Sequence, residues 1–201
     1  MQEIRCPYFR SGATSCMKNG GEGCPAKEGE HRYLSAVDLG GCIAPHPSTL
    51  AMTFAALGAT VLCSQQEEVQ EIPIEELWLQ PEPRLLHAVM VEPARNRMLS
   101  AWHRISNRIH AEWPLVEVAL MVEKEEDGVI QDARAYVGGV AKHPFPIMEL
   151  ANWQGKHISE ISIERDTSYL SAFTLLPQSR YKDILLTQAL RTALAQVQEG
   201  A

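Results

Sequence analysis

Residues 1–48 show no sustained hydrophobic period of 2 or 3.6, and glycines and prolines are frequent among them. Such a pattern predicts loop rather than helix or strand. A loop of this length is unusual in a compact domain unless something else orders it. A bound metal would do so, because ligation replaces the missing hydrophobic contacts. From Thr49 onward the pattern becomes periodic and predicts regular elements.

The first periodic segment, TLAMTFAALG, predicts a helix. Leu50, Phe54 and Leu57 share one face of it, and Gly58 is placed to cap its C-terminus. Three further elements are predicted in this region: a buried strand over ATVLCS, a short helix over 74–79 and a strand over 85–92.

The second half of the chain predicts an antiparallel meander followed by helices. Its three strands span 98–107, 115–124 and 128–137, and EEDG forms the tight turn between the last two. Helices are predicted over 145–151, from Ser159 or Glu160 to about Phe173, and from Tyr181 to Val197. The last helix is amphipathic, with these apolar residues at helical spacing: Ile184, Leu185, Ala189, Ala193 and Val197.

Composition narrows the functional classes. The chain has 201 residues and is 45% hydrophobic, which is enough for a core. Its net charge of −7 argues against nucleic-acid binding, which needs a basic face. No apolar run approaches the length of a membrane span, and MQEIRCPYFR lacks the apolar stretch of a signal peptide, so we expect a cytoplasmic protein. We find no Ser/His/Asp, HExxH or P-loop pattern, so substrate chemistry is expected in another chain.

Four of the five cysteines lie within the first 42 residues, with the spacing Cys6-x9-Cys16-x7-Cys24-x17-Cys42. In a reducing compartment such a group is more often a metal site than a disulfide framework. Four soft thiolates suit a 4Fe–4S cluster. Zinc is the rival metal, although structural zinc sites usually contain C-x2–4-C pairs and this segment has none. Free or disulfide-bonded cysteines are the third interpretation. Cys63, in the apolar run ATVLC, is interpreted as a core residue.

Three stretches of the sequence resemble a known family. They are the cysteine-bearing region up to LAMTFAALGATV, then DARAYVGGVAKHPFP, and finally RYKDILLTQALRTAL. Together they cover nearly the whole chain and are similar to the FAD-binding (medium) subunits of the molybdenum hydroxylase, or xanthine dehydrogenase, family. The cysteine region most resembles the aldehyde-oxidoreductase branch, whose members carry an extra 4Fe–4S loop.

The resemblance implies an α+β fold in two parts. Residues 1–92 would form a partial FAD-binding subdomain, with the iron–sulfur loop at residues 1–48. Residues 93–201 would form a domain like the C-terminal domain of CO dehydrogenase flavoproteins. That domain would be a three-stranded antiparallel sheet packed on a helical bundle.

The resemblance also implies the cluster ligands, which would be Cys6, Cys16, Cys24 and Cys42. The fourth is assigned because it precedes the segment His46-Pro47-Ser48, as in the aldehyde-oxidoreductase branch. The reductase branch has its last cysteine at the position of Tyr33 instead.

A set of flavin contacts follows from the same resemblance. They are His46, Ser48, Thr49, Leu86 and Arg104. Thr49 occupies a position where the family has Asp, and Arg104 one where it has Lys. The family's two glycine-rich FAD loops, whose backbone N–H groups cradle the pyrophosphate, have no counterpart in this sequence. We therefore expect an incomplete FAD site: the chain is a fragment, another polypeptide supplies the FAD half, or flavin binding has been lost.

The function implied is that of an electron-transfer subunit of a molybdenum-hydroxylase-type oxidoreductase, carrying a 4Fe–4S cluster and part of the FAD site. The molybdenum cofactor and 2Fe–2S centres would lie in partner subunits. Since some relatives are exported with a partner, the periplasm is the alternative compartment. The alternative function is a zinc-binding or metal-free structural or assembly module that has lost flavin binding.

Overall fold

The computed structural model describes residues 6–30, 32–46, 48–65, 68–79, 83–93, 97–108 and 113–200. Four α-helices are present in this part of the chain: α1 Pro7–Arg10, α2 Thr49–Ala56, α3 Glu76–Leu79 and α4 Tyr181–Glu199. The strands are β1 Thr60–Gln65, β2 Glu68–Pro73, β3 Leu85–Met90, β4 Met98–Ile105, β5 Val116–Lys124, β6 Ile130–Gly138 and β7 Phe145–Pro146. Short 3₁₀ turns span Met17–Asn19, Pro25–Lys27, Met148–Trp153, Ile158–Glu160 and Pro177–Ser179.

Strand β5 is the centre of the larger sheet, whose order is β4-β5-β6-β7 with antiparallel pairing throughout. Residues 116–122 are all buried, because both faces of the strand are covered. Val118 and Leu120 belong to the main core, which α4 covers, whereas Ala119 and Met121 face a second core beneath α2. This alternation follows from the two-residue period of a strand.

Helix α2 lies between the two sheets. Its buried residues Met52, Ala55 and Ala56 pack in the second core together with Val61 of β1. The smaller sheet has the order β2-β1-β3, again antiparallel. The predicted cap is confirmed, because Gly58 has a φ of 67° and its N–H donates to the Ala55 carbonyl.

Several sequence predictions hold and others need correction. The α+β class, the meander with its EEDG turn, and α4 are confirmed. The larger sheet has a fourth strand, β7, and β2 was not predicted. Within the described residues, one long helix replaces the predicted helical bundle. Residues 161–173 are not helical, since Ile161 and Ile163 are both buried at the two-residue spacing of extended chain.

Two predicted helix faces are also corrected. Leu50 is 67% exposed, and the buried face of α2 is formed by Met52, Ala55 and Ala56 instead. On α4 the predicted Ala189, Ala193 and Val197 are buried, together with Leu186 and Leu190, but Ile184 is 70% exposed. The division of the chain at residues 92 and 93 stays a prediction. In the described residues, we find no helix with both the length and the apolar character needed to span a bilayer.

The cysteine-bearing segment is ordered by polar contacts to the C-terminal half. The Val140 carbonyl accepts from the N–H groups of Ala36 and Val37, at 2.6 and 3.0 Å. Lys182 of α4 is fully buried, and its Nζ donates to the carbonyls of Leu34 (2.7 Å) and Gly139 (2.8 Å). One ammonium group therefore joins α4, the end of β6 and the cysteine-bearing segment.

We predict that Lys182→Met destabilises the protein by about 3 kcal/mol, because two buried carbonyls lose a charged donor. Urea unfolding gives the free-energy difference. The exposed Lys156→Met is the control and should change the free energy of unfolding by less than about 0.5 kcal/mol. Equal stability of Lys182→Met and wild type would contradict the role given to this ammonium group.

Candidate functional site

A cavity of about 690 Å³ lies beside the start of α2, between α3, β3 and the loop that leaves β6. Three of the five predicted flavin contacts, His46, Ser48 and Leu86, line it. The other lining residues are Leu50, Ala51, Phe54, Ile74, Leu77, Trp78, Leu79, Val89, Lys142 and His143. The walls are mostly apolar, with two aromatic rings and a few polar groups at one end, as in cofactor sites of about 300–1,000 Å³.

The polar end of the cavity is held by short contacts. Ser48 is the N-cap of α2, and its Oγ accepts from the Ala51 N–H at 3.1 Å. The His46 N–H donates to the Lys142 carbonyl at 2.7 Å. This bond joins the segment before α2 to the loop after β6, so both sides of the polar end are fixed relative to each other.

His143 was missed by the sequence analysis. Its Nδ1 is buried and has no hydrogen-bond partner among the described residues. Burial, together with the neighbouring positive charges of Lys142 and His46, lowers the pKa of His143 to about 4. The imidazole is therefore neutral at physiological pH. The only signal in the sequence was a histidine within the stretch GGVAKHPFP, with nothing to indicate which cavity it faces.

The other two predicted contacts, Thr49 and Arg104, do not line this cavity. Instead, the structure brings them together at Glu117 of β5. The Thr49 hydroxyl donates to Glu117 Oε2 at 2.7 Å. Arg104 is the register partner of Glu117 on β4, and its guanidinium lies 5.8 Å from the ring centre of Trp102.

Glu117 is a fully buried carboxyl group that the sequence analysis also missed. It packs so closely against β6 that a Cβ at Gly138 would come within 2.8 Å of its Oε1. Burial raises its pKa, while the Thr49 hydroxyl, the Trp102 indole and the charge of Arg104 oppose that change. In the sequence, the indication of a buried carboxyl group was a single acidic residue within the apolar run LVEVALMV. The hydrogen bond between Glu117 and Thr49 links the first residue of α2 to the larger sheet.

The four N-terminal cysteines are free thiols arranged around short turns. Cys6, Cys16 and Cys24 each immediately precede a helical turn, with the backbone extended at the cysteine. Cys6, Cys24 and Cys42 pack in one small apolar cluster. Cys16 lies outside it, bridged to Gly23. Among the described residues, no three His, Cys, Asp or Glu side chains are positioned to hold a metal ion together.

The cysteine-bearing segment is tightly turned rather than irregular. A Cβ at Gly21 would lie 2.3 Å from the Thr14 carbonyl oxygen, so the close approach of backbone there requires glycine. The Ala44 N–H donates to Cys42 Sγ at 3.5 Å. Lys27 donates to Asp38 at 2.8 Å, and this hydrogen bond lowers the pKa of Asp38. Cys63 is fully buried in β1, as predicted for a core residue.

Known proteins resemble this chain in both sequence and structure. The sequence is 27% identical, over its whole length, to the aldehyde oxidoreductase FAD-binding subunit PaoB of Escherichia coli strain K12. The chain is similar to the FAD-binding subunits of molybdenum hydroxylases. It spans 64% of the length of PaoB. No family model matches the sequence.

Solved structures share the fold of this chain. A chain of the CO dehydrogenase from Oligotropha carboxidovorans matches with a TM-score of 0.66 and 14% identity, over 78% of this chain and 58% of the other. A chain of quinoline 2-oxidoreductase from Pseudomonas putida 86 matches with a TM-score of 0.61 and 15% identity, over 98% of this chain and 69% of the other. At these identities the likeness shows the fold alone.

The raised pKa of Glu117 predicts a pH-dependent stability. The folded protein binds a proton to this carboxyl more tightly than the unfolded chain does. Its favourable contribution is therefore complete below the ordinary pKa of 4.5 and is lost as pH rises through the folded value. Glu117→Gln has no ionisable group at this position, so its stability does not fall in this way as pH rises. Its side-chain oxygen can still accept the hydrogen bond from Thr49. We expect Glu117→Gln to be more stable than wild type at pH 7, because burial penalises the charged carboxylate more than the neutral amide.

Urea unfolding from pH 4 to pH 8 measures the difference in free energy of unfolding between Glu117→Gln and wild type. This difference should become smaller toward pH 4. The exposed Glu160→Gln serves as the control, with no systematic trend expected. A Glu117→Gln variant that is less stable than wild type at every pH would show that the carboxylate form is needed for folding.

Proposed function

We propose that this chain is the FAD-binding, electron-transfer subunit of a molybdenum-hydroxylase-type oxidoreductase, and that the flavin ring of FAD occupies the cavity between α2, α3 and β3. The observation that carries the proposal is that His46, Ser48 and Leu86, three of the flavin contacts that the resemblance implies, line one cavity. The similarity to PaoB over the whole chain supports it.

The chemistry of the cavity fits a flavin. Its apolar walls, which include Phe54 and Trp78, suit a flat aromatic ring. The ionisable groups that line it in the described chain are His46, Lys142 and His143, with no carboxylate among them. An apolar body with a basic end favours an aromatic ligand that carries an anionic tail, as a flavin dinucleotide does.

The residues of this chain would bind and orient the cofactor rather than perform acid–base chemistry on a substrate. Bound FAD would supply one- and two-electron transfer between the partner subunits and an external acceptor. The aromatic and aliphatic walls would exclude water from the ring. The Ser48 cap and the bond between His46 and Lys142 would keep the polar end in place.

We further propose that Cys6, Cys16, Cys24 and Cys42 hold a 4Fe–4S cluster. The donor set suits it, since four free thiols lie on tightly turned chain and three of them share one small cluster. The N–H of Ala44 that donates to Cys42 Sγ is the kind of contact that stabilises a ligating thiolate. Cluster binding requires the four thiols to move closer together, because no three of them are gathered around one point in the described residues.

The partners we propose are a molybdenum-cofactor catalytic subunit and a 2Fe–2S subunit, which would hold the remaining redox centres. The substrate would be bound by the catalytic subunit. This chain would then pass electrons from the partner subunits to an external acceptor.

Titration with FAD, followed by flavin fluorescence quenching, tests the cavity. Leu86→Glu places a carboxylate in a site that has none, so we expect FAD affinity to fall at least tenfold. Leu85→Glu is the matched control, because Leu85 is the adjacent exposed residue of the same strand and does not line the cavity. Equal affinities of the two variants, or no FAD binding by wild type with its copurified subunits, would refute the proposed flavin site.

Anaerobic purification followed by iron and sulfide analysis and EPR spectroscopy tests the cluster. About four irons per chain are expected, since a cubane contains four. Cys16→Ser should lose most of the iron and its visible absorption. Cys63→Ala should retain both, because Cys63 lies in β1 outside the cysteine-bearing segment. One zinc per chain in place of iron would refute the proposed 4Fe–4S cluster. It would not affect the proposed flavin site.

A further inference from the structure

One wall of the cavity is a short segment that cannot hold its own shape. Residues 74–79, which we call the α3 wall, contribute these lining side chains: Ile74, Leu77, Trp78 and Leu79. The helix within it has four residues, and a helix of one turn is not stable by its own hydrogen bonds. Its last residue, Leu79, is 73% exposed, so burial does not anchor that end. Contacts with the rest of the fold must therefore fix the α3 wall.

Hydrogen bonds at two consecutive residues join the start of the α3 wall to both halves of the fold. The Ile74 N–H donates to the carbonyl of Ala59, the residue before β1, at 3.1 Å. The hydroxyl of Tyr136, on β6 of the larger sheet, donates to Glu75 Oε1 at 2.5 Å. The first bond fixes the backbone where the wall begins. The second ties the turn that follows to the larger sheet.

Tyr136 is a rigid anchor for this bond. Its side chain is buried in the second core with Ala119 and Met121 of β5, and pairing with Ala119 and Pro146 fixes its backbone within the sheet. Burial, together with the neighbouring carboxyl group of Glu75, raises the pKa of Tyr136, so the hydroxyl keeps its proton and is the donor. A buried tyrosine hydroxyl normally has such a partner, and here the partner lies on the α3 wall.

The residue whose position depends most on this bond is Trp78. It follows Glu75 by three residues, within the same helical turn, and it is half-buried. Its ring packs against the second core, which contains Tyr136, and also lines the cavity. An aromatic side chain contributes to binding a flat ligand only when the two rings meet in a suitable geometry. A shift of the α3 wall would change that geometry.

We propose that Tyr136, through its hydrogen bond to Glu75, positions Trp78 against the flavin ring. This rests on the proposed function. Tyr136 does not line the cavity, so it is a positioning residue and Trp78 is the residue that contacts the ligand. A binding side chain keeps its geometry when a second layer of contacts locks it, and Tyr136 and Glu75 form that layer here.

The test measures FAD affinity and the visible absorption band of the bound flavin, using the chain with its copurified subunits. Tyr136→Phe keeps the buried ring and removes the hydroxyl, so we expect affinity to fall about fivefold and the band to shift. Tyr181→Phe is the matched control and should change neither. It also removes a tyrosine hydroxyl, one that donates to the Arg32 carbonyl at 3.3 Å and does not line the cavity.

Two further comparisons separate positioning from a general effect on stability. In Trp78→Leu the indole is absent, so adding Tyr136→Phe should lower FAD affinity further by less than about twofold, a coupling expected only if the hydroxyl acts through Trp78. Glu75→Gln keeps an oxygen that can accept the hydrogen bond, so it should bind FAD more tightly than Glu75→Ala. Urea unfolding shows that each variant is folded under the conditions of the titration.

The outcomes separate this inference from the proposed function. If wild type binds FAD and Tyr136→Phe matches it in affinity and spectrum, the positioning role is refuted while the flavin site stands. An equal loss of affinity from Tyr136→Phe with and without the indole of Trp78, or no advantage of Glu75→Gln over Glu75→Ala, also refutes it. If wild type with its copurified subunits binds no FAD, the proposed function is refuted, and the inference with it.

Discussion

The burial of β5 on both faces is the constraint on which the rest of the structure depends. One face packs against the core beneath α4, and the other packs against α2. A strand covered on both sides cannot slip in register without exposing one set of side chains, so the two faces fix each other. Glu117, on the face toward α2, then binds Thr49 at the first turn of that helix. The start of α2 is the wall of the cavity, so its position follows from the packing of the sheet.

A second constraint connects the cysteine-bearing segment to this framework. A loop with so few apolar residues cannot be ordered by hydrophobic burial alone. Here backbone bonds to Val140 and the buried ammonium of Lys182 supply the order. The segment is consequently shaped by its own glycines and by contacts with α4. A metal cluster would add to this order, which differs from our expectation that ligation alone would replace the missing core.

The elements that the sequence predicted well are those with a strong and continuous hydrophobic pattern. Strands β5 and β6 and helix α4 are of this kind. The cap at Gly58 was also predicted, from the glycine that follows the apolar pattern. Strand β2 was missed because it is an exposed acidic edge with few apolar positions. Residues 161–173 were misread because side chains of α4, among them Asp183 and Thr187, satisfy their backbone groups without a helix. Those contacts join residues far apart in sequence.

The site was only partly predictable for the same reason. A resemblance located His46, Ser48 and Leu86 one by one, and the fold placed them around one cavity. It could not show that Thr49 and Arg104 face a buried carboxyl group instead. Nor could it place His143, which the loop after β6 brings to the wall of the same cavity.

The most direct measurement is a structure of the anaerobically purified chain, with its accompanying subunits and FAD, at a resolution that shows individual rings. Our account predicts the flavin ring in the cavity between α2 and β3, in contact with Ser48 and Leu86. A flavin bound at another surface, with this cavity filled by protein side chains, would contradict it.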